Sequence, residues 1–521
     1  MKHIGQTNKN KDMDRNRFLW LVGTAVSCEL ATPHRIARTG RGGDFNLFIW
    51  GILVILLSSC SQSNSDQIQR YFQADGDSLA LKSFMFLKQE MESSDWETFT
   101  MDKEFAVREI QNALQVNREQ LSNGDISFDV FAEYLLSPII MDEPLDDWRE
   151  KCRKQYDFAR SLDLASVCDT VNKLLSKNFV FGYGVPSAWY MGWNRLDTLK
   201  KGDCWHMAKS VLYPLRALGY PATIDYSPCW GNTTGGHAWN VVYTGKQMVA
   251  FMGREETIYK YNPFRLFDFK DSVKMLRAEP YRYPAKVYRK TFSVNKKWKQ
   301  LLEGVERADI PAFLRDWRMA DVTEEYFPVA DVEVKLDANV CPNELVYLAV
   351  YSRDWTITAV QECREDGKVL FKDLKRKMLY LPVVYRDGRA YPIDDPFIIE
   401  ADGRKRVLVP IPGAMVSCRI PYLLPLRQEL SWAVGKRSSL PKDIFDRLYS
   451  GENRKKPKNG ETYSLYYWDK NCWMFVEKSQ VAGSELVFRR VPKNCLLFLA
   501  DKEGHFIGRC FTVEKGEMVW W

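Results

Sequence analysis

Lys201-Gly202-Asp203-Cys204-Trp205, followed by Gly236-His237-Ala238-Trp239-Asn240 with the histidine 33 residues after the cysteine, decides how this chain of 521 residues is read. Between the two stretches lies Leu215-Arg216-Ala217-Leu218-Gly219-Tyr220-Pro221-Ala222, the end of a helix, a glycine stop and the start of a strand. The thiol is therefore predicted on a helix and the imidazole on a strand. Asp203 is a good N-cap, which puts Cys204 in the first turn of a helix whose apolar positions Met207, Ala208, Val211, Leu212 and Leu215 recur at helical spacing. The reacting form of cysteine is the thiolate. A helix N-terminus favours an anion, and an adjacent imidazole can take the thiol proton and return it to a leaving group. Beyond residue 59 the chain has only His206, His237 and His505. His206 is two residues from Cys204 on the same helix and points elsewhere, and His505 lies some 300 residues downstream, so His237 is the expected base.

Gly202-Asp203-Cys204, Leu215 to Ala222 and His237-Ala238-Trp239 resemble, in order and spacing, the core pattern of the transglutaminase-like family. The resemblance covers about residues 175 to 260. It implies a papain-like arrangement in which the cysteine attacks a carboxamide, forms a thioester and is released by water or an amine. One position departs from the pattern. The family places an aspartate about fifteen residues beyond the histidine to hold the imidazole tautomer, and this chain has Met252 there. Glu255 is the expected substitute, because Gly253 would let the chain turn back toward the histidine, with Glu256, Asp225 and the weaker Asn240 as alternatives. Trp189, Tyr190 and Trp193 read either as a cleft lining or as core aromatics.

The apolar run from Leu47 to Leu57, preceded by Arg35, Arg38 and Arg41, is too short to cross a bilayer and has the form of a signal peptide. Leu57-Ser58-Ser59-Cys60 resembles the lipobox of bacterial lipoproteins, which implies lipidation of Cys60, export, and attachment to a membrane of the cell envelope. Residues 1–59 are then a leader.

The net charge is +7, of which the leader carries more than half, and no polyanion or nucleic-acid partner is expected. Twelve cysteines without CxxC pairs or ligand spacing give no disulfide framework and no metal site, and no cofactor is called for. The fold class is α+β. Residues 60–76 read as a polar tether, 77–174 as a helical lead-in and 175–290 as the transglutaminase-like core. Residues 321–430 and 440–521 read as two β-sandwich-like domains, with Arg454-Lys455-Lys456-Pro457-Lys458 as a solvated linker. Trp355, Phe371, Leu379, Gly388 and Phe397 recur in order as Trp473, Phe488, Leu497, Gly504 and Phe511, a faint internal repeat. The terminal Trp520-Trp521 reads as a buried strand rather than a binding platform.

Two function classes follow. One is an exported, lipid-anchored enzyme acting on amide bonds of a protein, a peptide or cell-wall peptide. The other is a surface protein in which the same domain is an inert scaffold and the β domains bind protein or glycan.

Overall fold

Polar caps and buried aromatic pairs organise the first helices. The computed structural model describes residues 63–255, 257–266, 281–336, 344–435 and 441–521. Residues 1–62, with the leader and Cys60, lie outside the described residues. Contacts divide the chain into Met1–Ser61 and Gln62–Trp521. Within the second unit, Ser63, Asp77 and Asp102 accept hydrogen bonds from Asp66, Ala80 and Phe105 N–H groups and start the helices Asn64–Ala74, Ser78–Glu90 and Lys103–Gln115. The first of these corrects the expected tether. Its residues are mostly polar, but Ile68 and Phe72 stand four apart, share one face and are 0% and 1% exposed against Phe84, Leu87 and Ile110.

Two later helices, Trp148–Tyr156 and Leu164–Ser176, put Trp148, Val167, Val171 and Leu175 into the same apolar core as Leu212 and Leu215 of the helix Cys204–Ala217. That helix lies on an antiparallel sheet ordered Met248–Phe251, His237–Tyr243, Ala222–Ser227, Tyr288–Lys290, Met319–Asp321. The last strand lies beyond residue 290, where the core was expected to end, since Tyr288 pairs with Asp321. Three residues are too few to reveal an alternation. A buried ion pair fastens the helix to what precedes it. Lys209 Nζ donates to Glu143 at 2.7 Å, and Glu143 also accepts from the Tyr213 hydroxyl at 2.7 Å and from the Ile140 and Met141 N–H groups.

The remaining chain is built twice on one plan. Trp355–Glu362, Leu345–Tyr351, Met378–Arg386, Phe397–Ile399 and Lys405–Val407 pair in that order, and Val329–Lys335 pairs with Lys368–Lys375. In the second copy Cys472–Gln480, Thr462–Asp469, Leu497–Ala500, Phe506–Glu514 and Glu517–Trp520 pair in the same order, and Met415–Arg419 pairs with Val487–Pro492. In each copy the two sheets share one apolar core. The strand Met415–Arg419 therefore belongs with the last domain, although the expected boundary left it in 321–430. Helices Leu426–Gly435 and Lys442–Tyr449 lie between the two copies, and the run 454–458 after them is irregular with Lys455, Lys456 and Lys458 exposed. Arg454 is the exception, since its side chain, 8% exposed, pairs with Glu429 and lies 4.0 Å from the Tyr422 ring centroid. Trp520 packs on Phe511 with ring centroids 5.3 Å apart, and Trp521 Nε1 donates to Thr512 Oγ1.

Candidate functional site

Cys204 opens its helix because Asp203 caps it. The Asp203 carboxylate accepts from Trp205 N–H at 3.0 Å and His206 N–H at 3.4 Å, while His206 Nδ1 lies 2.8 Å from the Asp203 carboxylate and 3.2 Å from the Asp203 backbone nitrogen. His206 Nε2 donates to the Pro186 carbonyl at 2.9 Å, so this buried imidazole is a structural clamp. A Cβ on Gly202 would come within 2.3 Å of His206 Cγ, so only glycine permits the cap to close.

The strand His237–Tyr243 lies across that helix. Asn240 Nδ2 donates to the Ala208 carbonyl at 2.8 Å, and Asn240 Oδ1 accepts from Gly253 N–H at 2.9 Å. The backbone N–H groups of Ala238, one residue past His237, of Trp205 and of Cys204 itself favour the Cys204 thiolate. No hydrogen bond joins the Cys204 sulfur to His237 among the described residues. The imidazole Nε2 meets the Tyr261 hydroxyl at 2.7 Å, and Trp230 and Trp239 lie beside the ring at 6.3 and 5.9 Å between centroids.

The loop 228–236 that delivers His237 is held from several sides. Trp230 N–H donates to the Gly235 carbonyl at 2.7 Å, and Gly235 N–H donates to Ser352 Oγ at 3.2 Å. Arg427 donates to the Asn232 carbonyl at 2.8 Å, and Arg509 donates to the Gly231 carbonyl at 3.0 Å and the Ser352 carbonyl at 2.6 Å. Both β domains therefore contribute to the seat of the imidazole.

The sequence candidates for the third member are placed as follows. Glu255 is exposed, and its charge acts on Tyr261 and on Arg282. Glu256 lies outside the described residues. Asp225 is fully buried, with Arg289 Nε and Nη2 each donating to it at 2.9 Å and the Tyr326 hydroxyl at 2.7 Å. Asn240 is spent on pinning strand to helix. Met252, at the position the family gives to an acid, is buried at 1% exposure in the apolar cluster around Trp239. Gly253 has no left-handed backbone. It is small because the Met207 carbonyl passes 2.7 Å from where its Cβ would stand, and the turn is made by Arg254 at φ 66. Trp193 is a core residue, 3% exposed against Tyr213. Trp189 packs on Trp205 with centroids 5.3 Å apart, and Tyr190 is exposed.

Burial pushes the Cys204 thiol up to about 11, against the three N–H groups that favour the thiolate. Burial, with the Arg282 charge second, brings His237 down to about 3. The pair is thus a neutral thiol and a neutral imidazole, where the helix N-terminus alone predicts a lowered thiol. Tyr261 and Arg282 were not anticipated. A phenol gives no spacing signal of a tautomer-holding group, and the one cue for Arg282 is a cation set between two aromatics, Tyr281 and Tyr283. Beside Tyr261 opens a cleft of about 420 Å³, walled by Phe264, Tyr281, Tyr283, Tyr326 and Phe327. The described cysteines are all free. Among the described residues, Asp501, Glu503 and His505 are close enough to share a metal ion, in an exposed turn where the Asp501 carboxylate accepts the Glu503 and His505 N–H groups.

No protein-family model matches the chain, and no curated protein does. Among solved structures, a protein of Cytophaga hutchinsonii provisionally assigned as a cysteine protease is 17% identical over 27% of this chain and 48% of its own, at a TM-score of 0.22. The periplasmic domain of TgpA from Pseudomonas aeruginosa, bound to ethylmercury, is 18% identical over 20% of this chain and 43% of its own, at 0.18. Red sea bream transglutaminase is 11% identical over 68% and 70%, at 0.19. The match spans less than half the length of the first two. At such TM-scores these likenesses carry no argument about this chain.

Proposed function

We propose that this chain is a cysteine enzyme of transglutaminase-like type that cleaves or transfers amide acyl groups through a thioester on Cys204. The observation that supports this reading is the seat of the sulfur. It lies in the first turn of a capped helix, and the strand that begins at His237 is pinned to that helix by Asn240 Nδ2 donating to the Ala208 carbonyl. In the proposed reaction the sulfur bonds to the amide carbon as its proton passes to His237. The C–N bond then breaks as His237 returns that proton to the departing amine. Water or a second amine adds to the thioester, the C–S bond breaks, and the thiol recovers its proton. The backbone N–H groups at the helix mouth are suited to the oxyanion that forms on the way.

For His237 to accept a proton on Nδ1, Nε2 must carry hydrogen and donate it to Tyr261. Tyr261 then holds the tautomer in place of a carboxylate, and Glu255 acts on it from the exposed side. A neutral hydroxyl stabilises an imidazolium less than a carboxylate does, so a modest enzyme is expected. Cys204 and His237 share no direct hydrogen bond, and in catalytic pairs that bond commonly tightens only in the complex with substrate.

The scaffold reading is favoured by the raised thiol and by the absence, among the described residues, of a carboxylate on Nε2. The two readings part on Cys204→Ala. With a panel of peptides and glutamine-containing proteins, release of amine or transfer of a labelled amine should vanish in that variant. Turnover equal to that of the unaltered chain would assign the activity elsewhere. The leader and Cys60 belong to the same proposal: export, lipidation of Cys60 and attachment to an envelope membrane, with peptide or cell-wall peptide as substrate. Mass spectrometry of the mature chain should find a lipidated N-terminal Cys60, and an unmodified chain starting elsewhere would refute the anchor.

A further inference from the structure

Arg282 is a cation of the site that the proposed chemistry leaves unused. Its segment is rigidly tied. Gly231 N–H donates to the Tyr283 carbonyl at 2.7 Å, Tyr283 N–H to Asn232 Oδ1 at 2.8 Å, and Arg282 N–H to the Phe264 carbonyl at 2.7 Å. The half-buried guanidinium lies 5.7 Å from the centroid of the Trp230 ring, and that ring is 6.3 Å from His237. Its charge reaches Tyr261, Cys204, Glu255 and Tyr183. No carboxylate forms an ion pair with it, and no acceptor hydrogen-bonds its guanidinium, among the described residues. A guanidinium keeps its charge when partly desolvated, and it recovers the lost solvation best by bidentate pairing with a planar oxyanion.

We infer that Arg282 binds a carboxylate of the substrate next to the amide that Cys204 attacks, so that the site takes anionic peptides. This rests on the Cys204 reading and adds a substrate class to it. The carboxylate has two sources, an acidic side chain or a chain terminus, which present the same two oxygens to Arg282.

The test compares alkylation of Cys204 by iodoacetate and by iodoacetamide, read by peptide mapping of the full chain, with the exposed Cys472 as internal reference. The same thiolate attacks both reagents, so their rate ratio cancels any change in thiolate fraction. The ratio at Cys204 should exceed that at Cys472. It should fall about tenfold in Arg282→Gln, the size expected for one charge-assisted contact, and less in Arg282→Lys, which keeps the charge without the bidentate fork. Equal ratios in the unaltered chain and Arg282→Gln would overturn the inference while leaving the thiol chemistry standing. A Cys204 inert to both reagents, with Cys472 reacting, would remove the site reading and this one together. Protection of Cys204 from iodoacetamide by N-acetylglycine assigns a terminal carboxylate, and protection by N-acetylglutamate α-amide assigns a side chain. Protection by neither overturns the inference.

Discussion

At the residue scale the site is a neutral thiol and a neutral imidazole, both half-buried, and its pH behaviour follows. The Cys204 thiol is raised to about 11, so its alkylation should climb through the alkaline range instead of levelling below neutrality. His237 is lowered from 6.5 to about 3, so the folded state refuses a proton that the unfolded chain accepts. Stability linked to this group is complete above pH 6.5 and is lost as the pH falls toward about 3. Urea unfolding across that window should show a shallower loss in His237→Asn than in the unaltered chain. Tyr261→Phe removes the Nε2 partner and keeps the ring, so Cys204-dependent turnover should fall about tenfold, the worth of one hydrogen bond, with a stability loss of about 1–3 kcal/mol from the unpaired Nε2–H. The placement of Cys204 at a helix start and of His237 on a strand was legible in the sequence because local motifs carry it. The contact of Tyr261 with His237 was not, because it depends only on where the loop after Met252 returns.

At the element scale the helix Cys204–Ala217 was readable end to end, from the Asp203 cap to the glycine stop at Gly219. What locks it was not. Lys209 and Glu143 are 66 residues apart, and a lysine at a helix position gives no notice that it is fully buried. Removing one member strands the other charge, so Glu143→Gln should cost about 3–5 kcal/mol in chemical denaturation. Asn64–Ala74 shows the opposite failure. Its average polarity is that of a linker, yet one buried pair four residues apart makes it a helix.

At the scale of the whole molecule the β region is a duplicated pairing pattern, and both copies reach the site. Arg509 from the second copy and Ser352 from the first hold the loop that carries His237. The strand repeat was faintly visible in spaced aromatic residues. The clamp was not, since it joins residues hundreds of positions apart. Arg509→Met leaves the buried carbonyls of Gly231 and Ser352 without that donor, so a loss of about 2–4 kcal/mol is expected. The same variant should also slow Cys204 alkylation, measured side by side with Cys472, because the imidazole loses its seat.

The central claim is that His237 serves the Cys204 sulfur as a base. The most direct test is the rate of Cys204 alkylation by iodoacetamide from pH 5 to 11, by mass spectrometry, in the unaltered chain and in His237→Gln. The account predicts a slower reaction in His237→Gln at every pH below the alkaline limit, by about tenfold or more near neutrality, with the two curves meeting where hydroxide makes the thiolate unaided. Superimposable curves across the whole range would contradict it.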